Sequence, residues 1–418
     1  MSFLEKWKDV WRQQFWTLLK LLLFSCIIGV SVGIVGALFH HAIEIATHLR
    51  KELSWLLYCM PLAGVMIIGL YKVCGMEKDR GTNFVLTAVR ENEPMHLRTA
   101  PLIFIATVLT HLTGGSSGRE GAALQLGGAI SGKIGRAMKL DEKDERVITM
   151  CGMAAGFSAL FGTPITAAVF AMEVISVGVM YYSALVPCVL GAVIAMLVAQ
   201  KMGGEVTFFV LSEIPLLCAS SVIRVLILGV LCAGIAVIFC WVNHKTPQIY
   251  AKYLPHPMMR AAVGGLIVIG LTLLVGTRDY NGAGMDVITR ALAGQAVPYA
   301  FLLKILFTAI TLGAGFKGGE IVPVFFTGAT FGCVVGGLLG LSAGFGAALG
   351  MTAIFCGVTN CPLSSILLAF ELFGGEGLAL YALCIAVSYM LSGYYGLYSE
   401  QKILYSKLRP EFIDKKAH

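Results

Sequence analysis

Glu120 is the only acid between His111 and Asp141, and it sits inside Gly114–Gly132, GGSSGREGAALQLGGAISG. A glycine-rich turn there runs straight into an apolar segment, so backbone N–H groups at a helix start share their space with a carboxylate. A helix start is positively polarised and makes a seat for an anion, which marks Gly118, Arg119 and Gly121 as candidate anion-binding positions. A carboxyl in such a seat has two states. Ionised, it occupies the place an anion would take; protonated, it releases that place to a diffusing anion, so one residue can serve as gate and proton carrier. The plainer reading is a capping acid in a first helical turn. The cost of a charge inside a membrane span weighs toward function.

The chain repeats this arrangement 200 residues later. Gly118, Glu120, Gly128, Ala129 and Gly132 recur as Gly318, Glu320, Gly328, Ala329 and Gly332. Upstream, Ala100, Leu102, Ile105, Leu112 and Gly115 match Ala300, Leu302, Ile305, Leu312 and Gly315. Downstream the offset becomes 198, pairing Gly152, Met153, Ala155, Phe157, Pro164 and Glu173 with Gly350, Met351, Ala353, Phe355, Pro362 and Glu371. Matching Ala and Leu weigh little in apolar sequence, whereas matching Gly, Pro and Glu weigh a great deal. The protein reads as two homologous halves, with Glu320, Gly319, Ile321 and Val322 as the second set of gating and anion-binding candidates. Glu173 and Glu371, each nine residues after a proline, read as structural groups near helix ends.

Hydrophobic residues make up 57% of 418 and charged residues 13%, too apolar for a soluble fold, so the chain is a polytopic membrane protein. Val225–Val242 is an uncharged run of 18 residues, and Phe15–Leu38 spans similarly with Lys20 near its start. Ile321–Phe370 carries 50 residues without Lys, Arg, Asp, Glu or His, about twice the ~20 that one crossing needs. That run must fold back inside the bilayer, at Gly336–Gly340, Gly344–Gly350 or Pro362. Re-entrant and broken helices are tolerated at membrane depth where they line a cavity, which points to an internal pathway. The expected fold is all-α, polytopic, built of two homologous repeats with re-entrant and broken helices.

The 12 cysteines show no CxxC pair and no His neighbours at metal-ligand spacing; they read as small hydrophobes, and no cofactor or metal is expected. The net charge of +7 calls for no nucleic-acid partner. Basic residues gather at both ends, Lys6, Lys8, Arg12 and Lys20, then Lys402, Lys407, Arg409, Lys415 and Lys416, which places both termini in the cytoplasm. The first apolar segment runs past signal-peptide length, so no cleavable signal is read.

In order, residues 1–14 read as an amphipathic lead-in on the membrane surface, 15–200 as the first repeat, 201–215 as a linker, 216–400 as the second repeat and 401–418 as a short cytoplasmic tail. The first long helix ends with His40, Glu44 and His48 on one face, read as a polar helix end in preference to a metal site. After the charged loop Glu77-Lys78-Asp79-Arg80, Gly81-Thr82-Asn83 opens a helix. Thr82 or Asn83 is most simply its N-cap, with an ion contact as the alternative. Thr99–Leu112 carries His111 as a satisfied polar group in its last turn. Lys133 to Arg146 reads as a charged connection, and His244, Lys245 and Pro247 as a loop.

At these residues the chain resembles the CLC superfamily of anion channels and anion/proton antiporters. Gly118–Ala122, GREGA, stands where that family has GREGP, and Gly319–Pro323 stands where it has GxFxP. Gly396-Leu397-Tyr398-Ser399 looks like the segment that supplies the family's ion-coordinating tyrosine. The resemblance covers nearly the whole chain and implies a homodimer in the cell membrane with a separate anion pathway in each subunit, built of two inverted-topology repeats whose re-entrant helix ends meet at mid-membrane. It makes Glu120 the gating glutamate and Tyr398 the central tyrosine. The departures are specific. The GSGIP motif is replaced by Arg80-Gly81-Thr82-Asn83, and the inner proton-relay glutamate by Val174 and Ile175. GFKGGE, THLTGGSSGREG and GLYSEQ together are similar to the fluoride/proton antiporter branch, where Thr usually stands at the place of Val322.

That resemblance implies transport of fluoride, with chloride as the alternative, against protons. Fluoride is strongly hydrated, so a site that strips its water must offer strong donors, such as a neutral Glu120, the Tyr398 hydroxyl and backbone amides. Two rivals stand beside it: a passive halide channel in which Glu120 only gates, and a cation-coupled solute carrier with inverted repeats. No nucleophile, metal cluster or cofactor motif supports an enzyme.

Overall fold

The structure, a computed structural model, describes residues 3–418 apart from 78, 92, 205, 206 and 212, and leaves the side chains of residues 3–10 and 13 undescribed. Lys6, Lys8 and Lys78 therefore lie outside the described side chains, as does part of the 201–215 linker.

The first half holds α1 (Phe3–Glu52), α2 (Met60–Val73), α3 (Thr82–Glu91), α4 (Thr99–Leu112), α5 (Glu120–Ala137), α6 (Glu142–Phe161), α7 (Pro164–Glu173) and α8 (Leu185–Lys201). The second holds α9 (Ala219–Tyr253), α10 (Pro257–Val275), α11 (Met285–Leu292), α12 (Ala300–Gly313), α13 (Ile321–Leu338), α14 (Ala343–Thr359), α15 (Pro362–Phe373) and α16 (Leu378–Leu391). The two series correspond helix for helix.

Among the described residues six helical stretches are long and apolar enough to cross a membrane, Gln14–Glu52, Ala219–Tyr253 and Ile321–Leu338 being three of them. Others are too short. The 14 residues of α4 and of α12 rise only about 21 Å each, against a hydrocarbon core of ~30 Å. Each ends partway through and hands over to a loop, Thr113–Arg119 or Ala314–Glu320, before α5 or α13 begins. The backbone polar groups of those loops are enclosed by protein, as broken helices require. Pro164 and Pro362 sit in the first turns of α7 and α15, where a missing N–H costs nothing.

Helix α1 runs unbroken through Gln14. Several sequence expectations are corrected. The charged connection shrinks to residues 138–141, because Lys133 and Arg136 belong to α5 and Glu142–Arg146 to α6, whose Asp141 caps it by accepting from Asp144 N. His244, Lys245 and Pro247 lie inside α9. Pro247 removes one helical hydrogen bond, yet the helix continues because Thr246 and Pro247 pack against Gly313 of α12. The chain reverses at Gly340, while Gly344–Gly350 are helical.

A small sheet departs from the all-helical expectation. β1 (Ser176–Val177) pairs in parallel with β2 (Lys402–Tyr405), which pairs antiparallel with β3 (Phe412–Lys416). The tail is thereby fastened to the segment after α7.

Candidate functional site

The site forms where the two equivalent loops meet. Gly118 N–H donates to the Gly319 carbonyl at 2.6 Å and Gly319 N–H to the Gly118 carbonyl at 2.7 Å, an antiparallel bridge between the halves. Gly319 must be glycine, because a Cβ there would stand 2.6 Å from Gly121 N; a Cβ on Gly118 would stand 2.3 Å from Glu120 Oε2 and displace that carboxylate. The bridge sets the first turns of α5 and α13 against each other, so two positively polarised helix starts face one space.

Glu120, fully buried, opens α5. Its Oε2 accepts from Arg119 N at 3.0 Å and from Val322 N at 3.3 Å, so one carboxylate oxygen bridges the starts of both helices. Oε1 is buried without a partner. Glu320 flanks the start of α13, and the two carboxyls lie within electrostatic range of each other.

Tyr398 is 2% exposed and its hydroxyl is buried without a partner, within electrostatic range of Glu320 and Glu120. Its loop is held from several directions. Leu397 N donates to Val358 O at 2.7 Å, and Gln401 donates to Val174 O at 2.9 Å and Thr359 O at 2.8 Å. A backbone carbonyl at Val174 thus anchors the tyrosine loop.

Backbone, not side chain, is what three candidates contribute. Arg119 turns its guanidinium away to His40 Nδ1 at 2.7 Å and Leu160 O at 3.4 Å, leaving its N–H at the seat. Val322 likewise offers its N–H, and Ile321 opens α13. Thr82 and Asn83 do not cap α3 with their side chains. The Thr82 hydroxyl reaches toward Gly121 O at 3.5 Å, and Asn83 Oδ1 accepts from Glu400 N at 3.2 Å, tying α3 to the tyrosine loop.

Two groups were not singled out from sequence. The hydroxyl of Ser117 and the Oε1 of Gln125 are buried without partners, and Gln125 Nε2 donates to Thr82 Oγ1 at 3.4 Å. A polar side chain within the apolar stretch Ala122–Gly128 of α5 was the available signal. His111 is half satisfied: Nδ1 meets Thr107 O at 2.9 Å and Nε2 is unpartnered. His40 bonds Glu44 at 3.1 Å as well as Arg119, and no metal-binding group occurs among the described residues.

Glu173 and Glu371 form a reciprocal pair. Glu173, at the end of α7, accepts from Leu363 N at 3.1 Å, Ser364 N at 2.9 Å and Ser364 Oγ at 2.5 Å at the start of α15. Glu371 in α15 accepts from Ile165 N at 2.9 Å and Thr166 N at 2.8 Å at the start of α7. Each carboxylate fills the unsatisfied donors of the other helix.

Comparison with known proteins follows from this geometry. Residues 63–393 match the model of the voltage gated chloride channel family. A chloride/fluoride channel protein of Pseudomonas syringae pv. tomato is 34% identical over 395 residues, covering 93% of this chain and 87% of that protein. The crystal structure of a CLC-type fluoride/proton antiporter superposes with a TM-score of 0.89 at 32% identity, covering 93% of this chain and 98% of the other. A slow cyanobacterial chloride/proton antiporter shares the fold, with a TM-score of 0.77 at 20% identity over 89% of this chain and 94% of that one. With paired helix starts, a carboxylate between them and a family model matched over most of its length, the chain belongs to the voltage gated chloride channel, or CLC, family.

Proposed function

We propose that the protein is a membrane halide transporter that exchanges fluoride for protons, with Glu120 as gate and proton carrier. The observation that carries this reading is the single oxygen of Glu120 held by N–H groups from both halves, Arg119 and Val322. Protonation weakens the carboxyl's hold on those donors, because a charge-assisted hydrogen bond becomes a neutral one. The side chain then swings out and the vacated N–H groups receive the anion. Tyr398, Ser117 and a neutral Glu120 supply donors able to replace part of a fluoride's hydration shell. Glu320, at the second helix start, handles ion or proton at the same centre, which suits the absence of a carboxylate at Val174 and Ile175.

Fluoride is favoured over chloride by the similarity to the fluoride/proton antiporter, which extends over 98% of that chain. A passive channel is the second reading, favoured by the printed name of the Pseudomonas relative. Proteoliposomes loaded with fluoride and followed with an electrode separate the two. An exchanger's reversal potential shifts with an imposed pH gradient, and a pore's does not.

The reading further includes a homodimer in the cell membrane, with both termini cytoplasmic. Exposed apolar residues on α7, α8, α15 and α16, among them Ile165, Leu185, Leu363 and Met390, supply a face suited to a second subunit or to lipid.

A further inference from the structure

A cavity of about 840 Å³ opens between the C-terminal end of α1, the turn Arg278–Gly284, the start of α11 and residues 207–209. It reaches inward to Arg119 and Val322, the two residues whose N–H groups hold Glu120. Its charged lining is unevenly paired. Lys51 meets Asp286 at 2.6 Å, Arg290 meets Asp279 at 2.7 Å, and Glu44 is taken by His40 and His41. Arg119 is held by His40 and Leu160 O; Arg50 and Arg278 are left, and among the described residues no carboxylate lies within 4.0 Å of either.

Arg50 is the more telling of the two. Its Nη1 is buried and has no hydrogen-bond partner. The guanidinium lies against Gly282, where a Cβ would come within 2.4 Å of Nη1, at a φ of +63° that itself favours glycine. Behind the same turn the fully buried Lys304 ammonium donates to Tyr280 O at 3.2 Å and Gly282 O at 2.6 Å, again with no carboxylate. Arg278 donates to Ser54 O at 3.0 Å at the cavity's rim. Arg50 and Arg278 thus flank a turn whose own acid, Asp279, and its neighbour Asp286 are already paired with Arg290 and Lys51, so that a bound anion would relieve the remaining like-charge repulsion.

We propose that Arg50 and Arg278 form a second anion seat in this cavity, one that takes a small inorganic anion of the halide class at a distance from the carboxyl of Glu120. The unpartnered Nη1 is the donor. The seat is linked to the gate by backbone: Gly282 N donates to Gly115 O at 3.1 Å and Asn281 Nδ2 to Gly114 O at 2.9 Å, in the loop that leads to Glu120. Its role is to raise the local anion concentration at one mouth of the pathway, as a cleft lined by one sign of charge does. Binding here does not depend on coupling to protons and would stand in a passive pore.

The test is anomalous diffraction from crystals of the full chain grown in sodium bromide, with isothermal titration of the detergent-solubilised protein by the same salt. The expected result is a bromide peak beside Arg50 Nη1 in the wild type, lost in Arg50→Gln and weakened in Arg278→Gln, with any peak beside Tyr398 unchanged. Arg50→Lys, which keeps the charge, should retain the peak, and titration should show binding at the seat at least ~tenfold weaker in Arg50→Gln. Should Arg50→Gln fail to fold, the exposed Arg278→Gln variant carries the same comparison. Absence of a peak at Arg50 when the Tyr398 position is filled would overturn the proposal, as would a peak indifferent to both substitutions. A peak at Arg50 with none beside Tyr398 would keep this seat and count against the transport reading.

Discussion

Val322 and Glu120 stand 202 residues apart in sequence, and a 3.3 Å hydrogen bond from the backbone of one to the carboxylate of the other joins the two halves at the gate. Replacing Glu120 by Gln keeps the shape and removes the charge and the exchangeable proton. Proton movement coupled to fluoride efflux should stop in Glu120→Gln liposomes while anion flux persists; coupled movement at the wild-type ratio would refute the gate.

Tyr398 makes an opposite kind of prediction. Its hydroxyl donates to no protein group, so Tyr398→Phe breaks no internal bond and should leave thermal stability within ~0.5 kcal/mol of wild type. Halide affinity by calorimetry should nevertheless fall about tenfold, the loss expected for one hydrogen bond to a charged group. Unchanged affinity would remove Tyr398 from the site.

The reciprocal caps should separate stability from transport. Glu371→Ala strands the N–H groups of Ile165 and Thr166, and Glu173→Ala those of Leu363 and Ser364. Each should cost about 1–3 kcal/mol, read as a lower midpoint of thermal unfolding. The proton-to-halide ratio of the surviving protein should not move; a changed ratio would give these acids a part in transport.

Lys407, in the tail, offers a pH signature. Burial pulls its ammonium down from the usual lysine value to about 8, although it donates to Asn360 Oδ1, Tyr389 O and Ser392 Oγ. Below that value folded and unfolded chains both carry the charge. Between about 8 and the ordinary value of 10.5 the folded chain has released a proton that the unfolded chain retains, so stability rises with pH across that window. Relative to Lys407→Met, the wild type should gain in unfolding midpoint from pH 8 to pH 10; parallel curves would show that Lys407 is not buried as described.

How legible the molecule is in its sequence depends on which atoms do the work. Gly118, Gly318, Pro164, Pro362, Glu120 and Glu320 announce themselves because helix starts and close backbone approaches admit few residue types, and repetition makes each visible twice. Pro247 misleads for the same reason, since a proline reads as a break until the packing of Gly313 against it is known. β1 is two residues long and has no periodicity to detect. Arg119 looks like a side-chain ligand in a string of letters, whereas folding sends its guanidinium to His40, 79 residues earlier. Arg50 and Gly282 share no local pattern at all, and only the tertiary fold sets them together.

The mutual bridge between Gly118 and Gly319 limits how such a gate can move. With both main-chain loops stitched together among buried residues, a motion that parted the halves would break two backbone hydrogen bonds. Under the proposed exchange the acid side chain then rotates within a stationary frame, each cycle confined to a few torsion angles.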